Sequence, residues 1–299
     1  MKEPDGPAPV VLFDTYSLVF RAHHALPPMN TSSGEPTSAL YGFSALVLKV
    51  LKEQRPRALA FALDAPKKTF RHEAYAEYKG SREAAPSVLV EQLRRLPAVL
   101  SAFEVPCVCV PGFEADDVLA TLATGLRARD ESVLIVSGDR DMLQLVDAGC
   151  RVYFVGGRGQ QAVLFDRAKV LERFGVEPAQ MPARAALVGD SSDNLPGVPG
   201  IGPQTAAKLV TEFGDSSSLL ARLEEVAPER VREALRAHSE QVKLNEELSR
   251  LRRDVELPEQ RLAGELSASS FEKLARIFEE LEFKSLLPRL AALNPVVPS

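Results

Sequence analysis

Five short, near-continuous apolar runs punctuate the first two-thirds of the chain: Val10 to Phe13, Ala58 to Leu63, Val105 to Val110, Val133 to Val136 and Val152 to Val155. Such uniform runs suit strands buried on both faces rather than strands with one wet side. Helical spacings lie between them. Thr37 to Gln54 carries Leu40, Phe43, Val47, Val50 and Leu51 on one stripe, and Ala115 to Arg127 carries Val118, Leu119, Leu122 and Leu126. This alternation predicts an α/β core with a central, mostly parallel sheet and flanking helices. The last third has almost no strand pattern and reads as helices at Gln204 to Phe213, Ser217 to Leu223, Glu229 to Leu251 and Ser270 to Leu281. Gly and Pro crowd between 186 and 203, which marks a boundary. The expected organisation is a flexible tail at 1–9, an α/β core at 10–185, a helical region at 186–291 and a second tail at 292–299.

Composition adds little to this picture except through charge. The 299 residues are 45% hydrophobic and 26% charged, enough for a packed core and too balanced for a disordered chain. No stretch approaches the ~20 apolar residues that span a bilayer, so no membrane partner is expected and the cytoplasm is the expected location. Cys107, Cys109 and Cys150 lack a zinc spacing and are expected to be small buried hydrophobes. With 36 Lys and Arg against 41 Asp and Glu, the net charge of -5 argues at first against a nucleic-acid binder.

The placement of the acids changes that reading. In an open parallel sheet the functional crevice lies beyond the carboxyl ends of the strands. Asp14 follows the first run, Asp64 the second, and Asp139 and Asp141 the fourth. After the third comes Gly112-Phe113-Glu114-Ala115-Asp116-Asp117, which opens a helix and puts Glu114 and Asp117 on one face. Asp190 and Asp193 precede the glycine-rich stretch. Any one of these acids reads equally well as a cap or turn residue. Nine gathered at one edge would repel one another and raise each other's pKa values, and a hard divalent cation relieves that repulsion. The absence of a His or Cys cluster disfavours zinc. Two Mg²⁺ ions can clamp the attacking and leaving oxygens of a phosphodiester, so phosphodiester hydrolysis is the expected reaction.

Two further segments suit phosphates. Lys49 to Arg95 holds eleven bases against six acids, and its centre, Lys67-Lys68-Thr69-Phe70-Arg71-His72-Glu73-Ala74-Tyr75-Ala76-Glu77-Tyr78-Lys79-Gly80-Ser81-Arg82, interleaves cations with aromatics. That mixture fits backbone contacts with base stacking, or equally a solvated helix face. In Pro199-Gly200-Ile201-Gly202-Pro203-Gln204-Thr205-Ala206-Ala207-Lys208 the glycines permit a tight turn, and Pro203 opens a helix whose first amides can hold a phosphate.

These blocks together resemble the bacterial 5′ nuclease family, flap endonuclease relatives found at the amino terminus of DNA polymerase I or as separate proteins. The matching residues are Leu12-Phe13-Asp14 with Arg21, Ser33-Gly34-Glu35-Pro36, Phe70-Arg71-His72-Glu73-Ala74-Tyr75, Gly112 to Asp117, Gly138-Asp139-Arg140-Asp141, and Gly189-Asp190-Ser191-Ser192-Asp193-Asn194 with Gly200-Ile201-Gly202. The resemblance implies a two-ion Mg²⁺ enzyme, with Mn²⁺ able to substitute, that acts as a 5′ flap endonuclease and 5′-3′ exonuclease on branched DNA in primer removal, replication and repair. It implies Asp14, Asp64, Glu114, Asp116 and Asp117 near a first metal, and Asp139, Asp141, Asp190 and Asp193 near a second. Lys79 and Arg82 would engage the scissile phosphate from a basic helical arch at about 66–97. Arg21, Lys67, Lys68, Arg71, Tyr78, Thr205 and Lys208 would contact DNA, with Gly200, Ile201 and Gly202 forming a helix-hairpin-helix loop that can hold K⁺. A monomer beside the nucleoid, with a DNA polymerase as partner, completes the expectation. Two positions depart from the family pattern: Thr15 stands where Gly is usual, and Gln204 where Lys is usual.

Setting the nine proposed ligands aside from the 41 acids leaves 32 against 36 bases, so the acidic balance is largely the metal site itself. A non-catalytic branched-DNA binder is disfavoured by the full set of acids. A small carboxylate-metal ribonuclease or phosphatase has no need of the Gly-Ile-Gly hairpin.

Overall fold

A computed structural model describes residues 8–66, 68–258, 262, 264 and 266–293. The strands are β1 (Val10–Asp14), β2 (Ala58–Ala62), β3 (Cys107–Val108), β4 (Val133–Ser137), β5 (Cys150–Phe154) and β6 (Val163–Phe165), with a separate short pair, β7 (Gly189–Asp190) and β8 (Leu195–Pro196). The main sheet has the order β3-β2-β1-β4-β5-β6, parallel except for β6. The helices are α1 (Thr15–Ala25), α2 (Ser38–Gln54), α3 (Phe70–Ala74), α4 (Ser87–Phe103), α5 (Ala115–Arg127), α6 (Arg167–Phe174) and α7 (Met181–Val188). They continue as α8 (Pro203–Phe213), α9 (Ser216–Ala221), α10 (Glu229–Ala237), α11 (Ser239–Ser249), α12 (Ala268–Glu280) and α13 (Leu287–Ala291).

The uniform apolar runs are explained by layers on both faces. In β1, Val10 and Leu12 face a cluster with Val118 and Leu119 of α5, while Val11 and Phe13 face one with Phe43 of α2 and Leu100 of α4. The first cluster continues without a break into Ala186 of α7, Leu209 of α8 and Leu235 of α10. The helical region and the sheet therefore share one core, and the boundary expected between 185 and 186 falls inside α7. Burial of Phe13, Phe43, Phe61 and Phe103 side by side contributes about 1.5–3 kcal/mol for each ring removed from water.

Several expectations need correction. The strand predicted over 105–110 shrinks to β3, because Pro106 and the Pro111-Gly112 turn bracket it at the sheet edge. Its position also leaves Cys107 and Cys109 exposed, and only Cys150 is buried; all three are free. The single helix expected over 229–251 is broken at His238, whose φ of -117° and ψ of 21° leave the helical region and whose Nδ1 sits 2.9 Å from the Ala234 carbonyl. The expected helical arch at 66–97 is not a freestanding element. Only α3, five residues long, precedes a run of turns, and the residues from Ser87 onward belong to α4, which buries Leu89, Leu96 and Leu100 in the core. The predicted tails lie largely outside the described residues. No described helix is long and apolar enough to cross a membrane.

Candidate active site

Strand order places Asp14 at the end of central β1, Asp139 and Asp141 just past neighbouring β4, and Asp64 past β2. Glu114 caps α5 and Asp116 lies in its first turn. Asp190 and Asp193 come from the β7–β8 hairpin, where Gly189, at φ +83°, and Gly197 pass so closely that a Cβ on Gly189 would stand 2.3 Å from the Gly197 nitrogen. No other residue fits that crossing.

The acids are held by short local bonds. The Ser137 hydroxyl donates to Asp14 Oδ2 at 2.5 Å and accepts from the Asp139 amide at 2.8 Å. Asp139 Oδ1 takes the Asp141 amide at 2.8 Å, Asp64 Oδ1 takes the Ala115 amide at 2.8 Å, and Asp190 Oδ1 takes the Ser192 amide at 2.7 Å. Ser137 was missed in the sequence, where the only trace of it is a hydroxyl one residue before Gly138.

Charge ties the cluster together. Burial raises Asp14 to about 7, against a lowering bond from Ser137 and with added repulsion from Asp64 and Asp139. Burial likewise pushes Asp116 well above the usual carboxylate range, reinforced by Asp14 and Asp139, and Asp141 well above it, reinforced by Asp139, Asp193 and Asp190. Among the described residues no three of these groups close on one point as direct ligands. That spread suits ions that keep water between themselves and the protein, as Mg²⁺ does, and an all-oxygen donor set favours hard cations.

A stability prediction arises here. Asp14 binds its proton more tightly folded than unfolded, so its stabilising contribution is complete below about 4 and is lost as pH rises through about 7. The metal-free chain should therefore show a falling melting temperature across that window. Millimolar Mg²⁺ should reverse the fall at pH 8, adding about 2.7 kcal/mol at a hundredfold excess over Kd. A melting temperature indifferent to both pH and Mg²⁺ would remove the cation role from the cluster.

Basic side chains already answer part of the charge. Lys79 Nζ lies 2.9 Å from Glu114 Oε1, and Arg82 Nη2 lies 2.8 Å from Asp193 Oδ1. Burial pulls the Lys79 ammonium down, but Glu114 and Asp193 outweigh it and leave it above the ordinary lysine value. The segment is strapped to the β7–β8 hairpin: the Lys79 amide donates to the Asp193 carbonyl at 3.0 Å, and the Asn194 side-chain amide donates to the Glu77 carbonyl at 2.8 Å. Lys79 and Asn194 both adopt left-handed φ, 55° and 57°, which these bonds sustain.

Other expected site residues have different work. Asp117 is fully buried, its two oxygens taken by Arg71 Nη1 and Nη2 at 2.7 and 2.9 Å and by the Glu114 and Arg252 amides, which removes it from the acids free to take a metal. Arg71, only 1% exposed, also donates Nε to the Leu248 carbonyl at 2.8 Å and cannot reach DNA. Tyr78 is buried too, its hydroxyl 3.1 Å from Glu114 Oε2 and 2.9 Å from Asp193 Oδ2, so it braces two acids rather than stacking on a base. Arg21 donates to the Gly138 carbonyl at 2.5 Å and so props the loop carrying Asp139 and Asp141. Ile201 is a core residue whose amide is spent on the Val198 carbonyl at 3.0 Å. Gly200, Gly202 and Lys208 are exposed and Thr205 half-buried around the turn before α8; Lys68 is exposed, and Lys67 lies outside the described residues. Thr15 starts α1 fully buried, its hydroxyl without a partner among the described residues, and Gln204 is exposed.

Comparison with known proteins agrees with this geometry. The family model for the 5′-3′ exonuclease N-terminal resolvase-like domain matches residues 9–175, and that for the 5′-3′ exonuclease C-terminal SAM fold matches 176–283. A DNA polymerase I of Mycobacterium leprae is 41% identical over 283 residues, covering 94% of this chain and 31% of that protein. A 5′-3′ exonuclease of Aquifex aeolicus is 38% identical over 278 residues, covering 92% of this chain and 93% of that one. The fold is shared with the bacteriophage T5 flap endonuclease solved in a pseudo-enzyme-product complex with DNA and metal ions: the TM-score is 0.65, with 20% identity over 95% of this chain and 98% of that one. The chain spans about a third of the length of the DNA polymerase I relatives. With both family models matched end to end, the chain belongs to the 5′-3′ exonuclease family.

Proposed function

We propose that this nuclease uses two divalent ions, Mg²⁺ or Mn²⁺, to hydrolyse phosphodiester bonds of branched DNA carrying a 5′ single strand. The carrying observation is the set of mutually repelling, desolvated acids at the carboxyl edge of the sheet, with lysine and arginine on its rim. Bound there, the ions would supply charge to the attacking and leaving oxygens. Asp14, Asp64, Glu114 and Asp116 would hold one; Asp139, Asp141, Asp190 and Asp193 the other. Lys79 and Arg82 would turn from Glu114 and Asp193 to the scissile phosphate, keeping the charge of the site balanced as substrate enters. The open amides and glycines of the Gly200–Gly202 turn, with Lys208, would hold the duplex backbone, and a K⁺ ion would sit against the same loop. Primer removal by a monomer working beside a DNA polymerase is the setting this reading implies.

The decisive assay compares Mg²⁺-dependent cleavage of a 5′-flap duplex with cleavage of single-stranded RNA. Flap cutting that EDTA abolishes supports the reading; preference for the RNA sinks it. Lys79→Ala should slow single-turnover cleavage by ~100-fold or more while changing flap affinity only a few-fold, because a contact made to the transition state is read in the rate. Loss confined to affinity would make Lys79 a docking residue.

A further inference from the structure

Behind the Asp139–Asp141 loop stand Arg140, Arg173 and Arg184, none of which enters an ion pair among the described residues, whereas nearby Lys169 is held by Glu172 at 2.9 Å. Arg184, on α7, is half-buried, its guanidinium over the Phe174 ring at 5.3 Å from the centroid. Its Nε is buried with no hydrogen-bond partner. Burial, and then the charge of Arg140 beside it, pull it below the ordinary arginine value. A buried donor left unpaired costs on the order of 1–3 kcal/mol, and native proteins keep few of them without a reason. Phe174 fixes the guanidinium without neutralising it.

Two cavities of about 720 and 700 Å³ meet at Arg173, Phe174 and Arg184. One extends to Arg140, beside the acid cluster. The other runs along α8 past Gln204 and Lys208, the helix that follows the Gly200–Gly202 turn. Five cations and two acids line the pair, in a chain whose net charge is -5. Such local excess, open and continuous, fits a polymeric anion better than a single phosphate.

We propose that this groove is a second phosphate track, in which Arg173 and Arg184 take consecutive phosphates of the uncut duplex strand between the hairpin loop and the Asp139–Asp141 loop. The inference rests on the nuclease reading above and adds a route for the strand that is not cut. It also answers the departure at Gln204, since the charge missing from the hairpin is supplied one helix away.

The test measures binding of a labelled 5′-flap duplex in EDTA between about 50 and 200 mM NaCl, for the wild type and Arg173→Gln with Arg184→Gln. The double variant should bind ~10-fold more weakly, and its log–log salt dependence should flatten by ~1.8, or ~0.9 for each phosphate that is no longer neutralised. Affinity for a single-stranded oligonucleotide should not change, and Arg184→Lys should restore the slope at that site. Arg173 is exposed, so Arg173→Gln alone keeps the test readable if the double variant does not fold, with half the slope change expected. Unaltered duplex affinity and slope overturn the proposal. So does thermal stabilisation of the wild type by deoxyadenosine monophosphate that the double variant loses while duplex binding stays equal, which would make the groove a free-nucleotide site. Mg²⁺-dependent flap cleavage by the wild type, measured in parallel, separates the two readings: its absence removes the nuclease reading, its presence leaves only the track in question.

Discussion

Replacing Asp139 and Asp141 with alanine should reduce Mg²⁺-dependent flap cleavage at least ~1,000-fold while leaving flap binding nearly intact. Metal ions at a reacting phosphate are worth several kcal/mol of charge stabilisation, and about 4 kcal/mol corresponds to that factor. The two acids sit just beyond β4, close enough to Asp190 and Asp193 to be raised by them, so losing both removes the charge one ion needs. Binding should survive because the cationic surfaces on α7 and α8 are untouched. The same variant, freed of two repelling groups, should melt at a higher temperature than wild type without metal and gain less on adding Mg²⁺. Asn in both places keeps the turn in which Asp139 accepts the Asp141 amide, and separates loss of charge from loss of shape. Near-normal hydrolysis by either pair would refute the assignment of these acids to a metal.

Arg71→Met should cost about 3–5 kcal/mol of stability, the range found when one partner of a buried ion pair is removed. Asp117, at 0% exposure, would be left charged and without the two guanidinium bonds that compensate it. Arg71 also joins α3 to α11 through the Leu248 carbonyl, so its loss loosens the strap that carries Lys79. The melting temperature should fall by roughly 6–15 °C, taking 2–4 °C for each kcal/mol in a domain of this size. Adding Asp117→Asn should recover part of the loss, because the stranded charge is gone; in a double-mutant cycle the coupling should exceed about 1 kcal/mol. Thermal unfolding of the four proteins decides it. A single-variant loss below about 0.5 kcal/mol would mean the pair merely breaks even with its desolvation.

The two predictions mark where the chain was legible. Asp139 and Asp141 were readable because their neighbours are informative: an uninterrupted apolar run can only be a doubly covered strand, and whatever follows it stands at the carboxyl edge. The order of strands was not readable, yet it is what sets Asp14 between Asp64 and Asp139. Arg71 was unreadable in the opposite sense. In the run from Lys68 to Arg82 every cation looks equivalent, because local sequence says nothing of what a side chain meets far along the chain. Two oxygens of Asp117 and the Leu248 carbonyl turn one of those cations inward, while Lys68 stays in solvent. Tyr78 followed Arg71 for the same reason.

The sequence alone determined the periodicities, and through them the sheet, the flanking helices and the edge at which acids collect, because burial on two faces leaves an imprint on consecutive residues. It also determined that the negative balance of composition belongs to a site. Only the tertiary structure decided which acids remain available, since Asp117 is neutralised by a partner far along the chain, and which arginines are left unanswered. Ion pairing and desolvation depend on distance in space. A chain of 299 residues specifies those distances only once the shared core has closed around α5, α7 and α8.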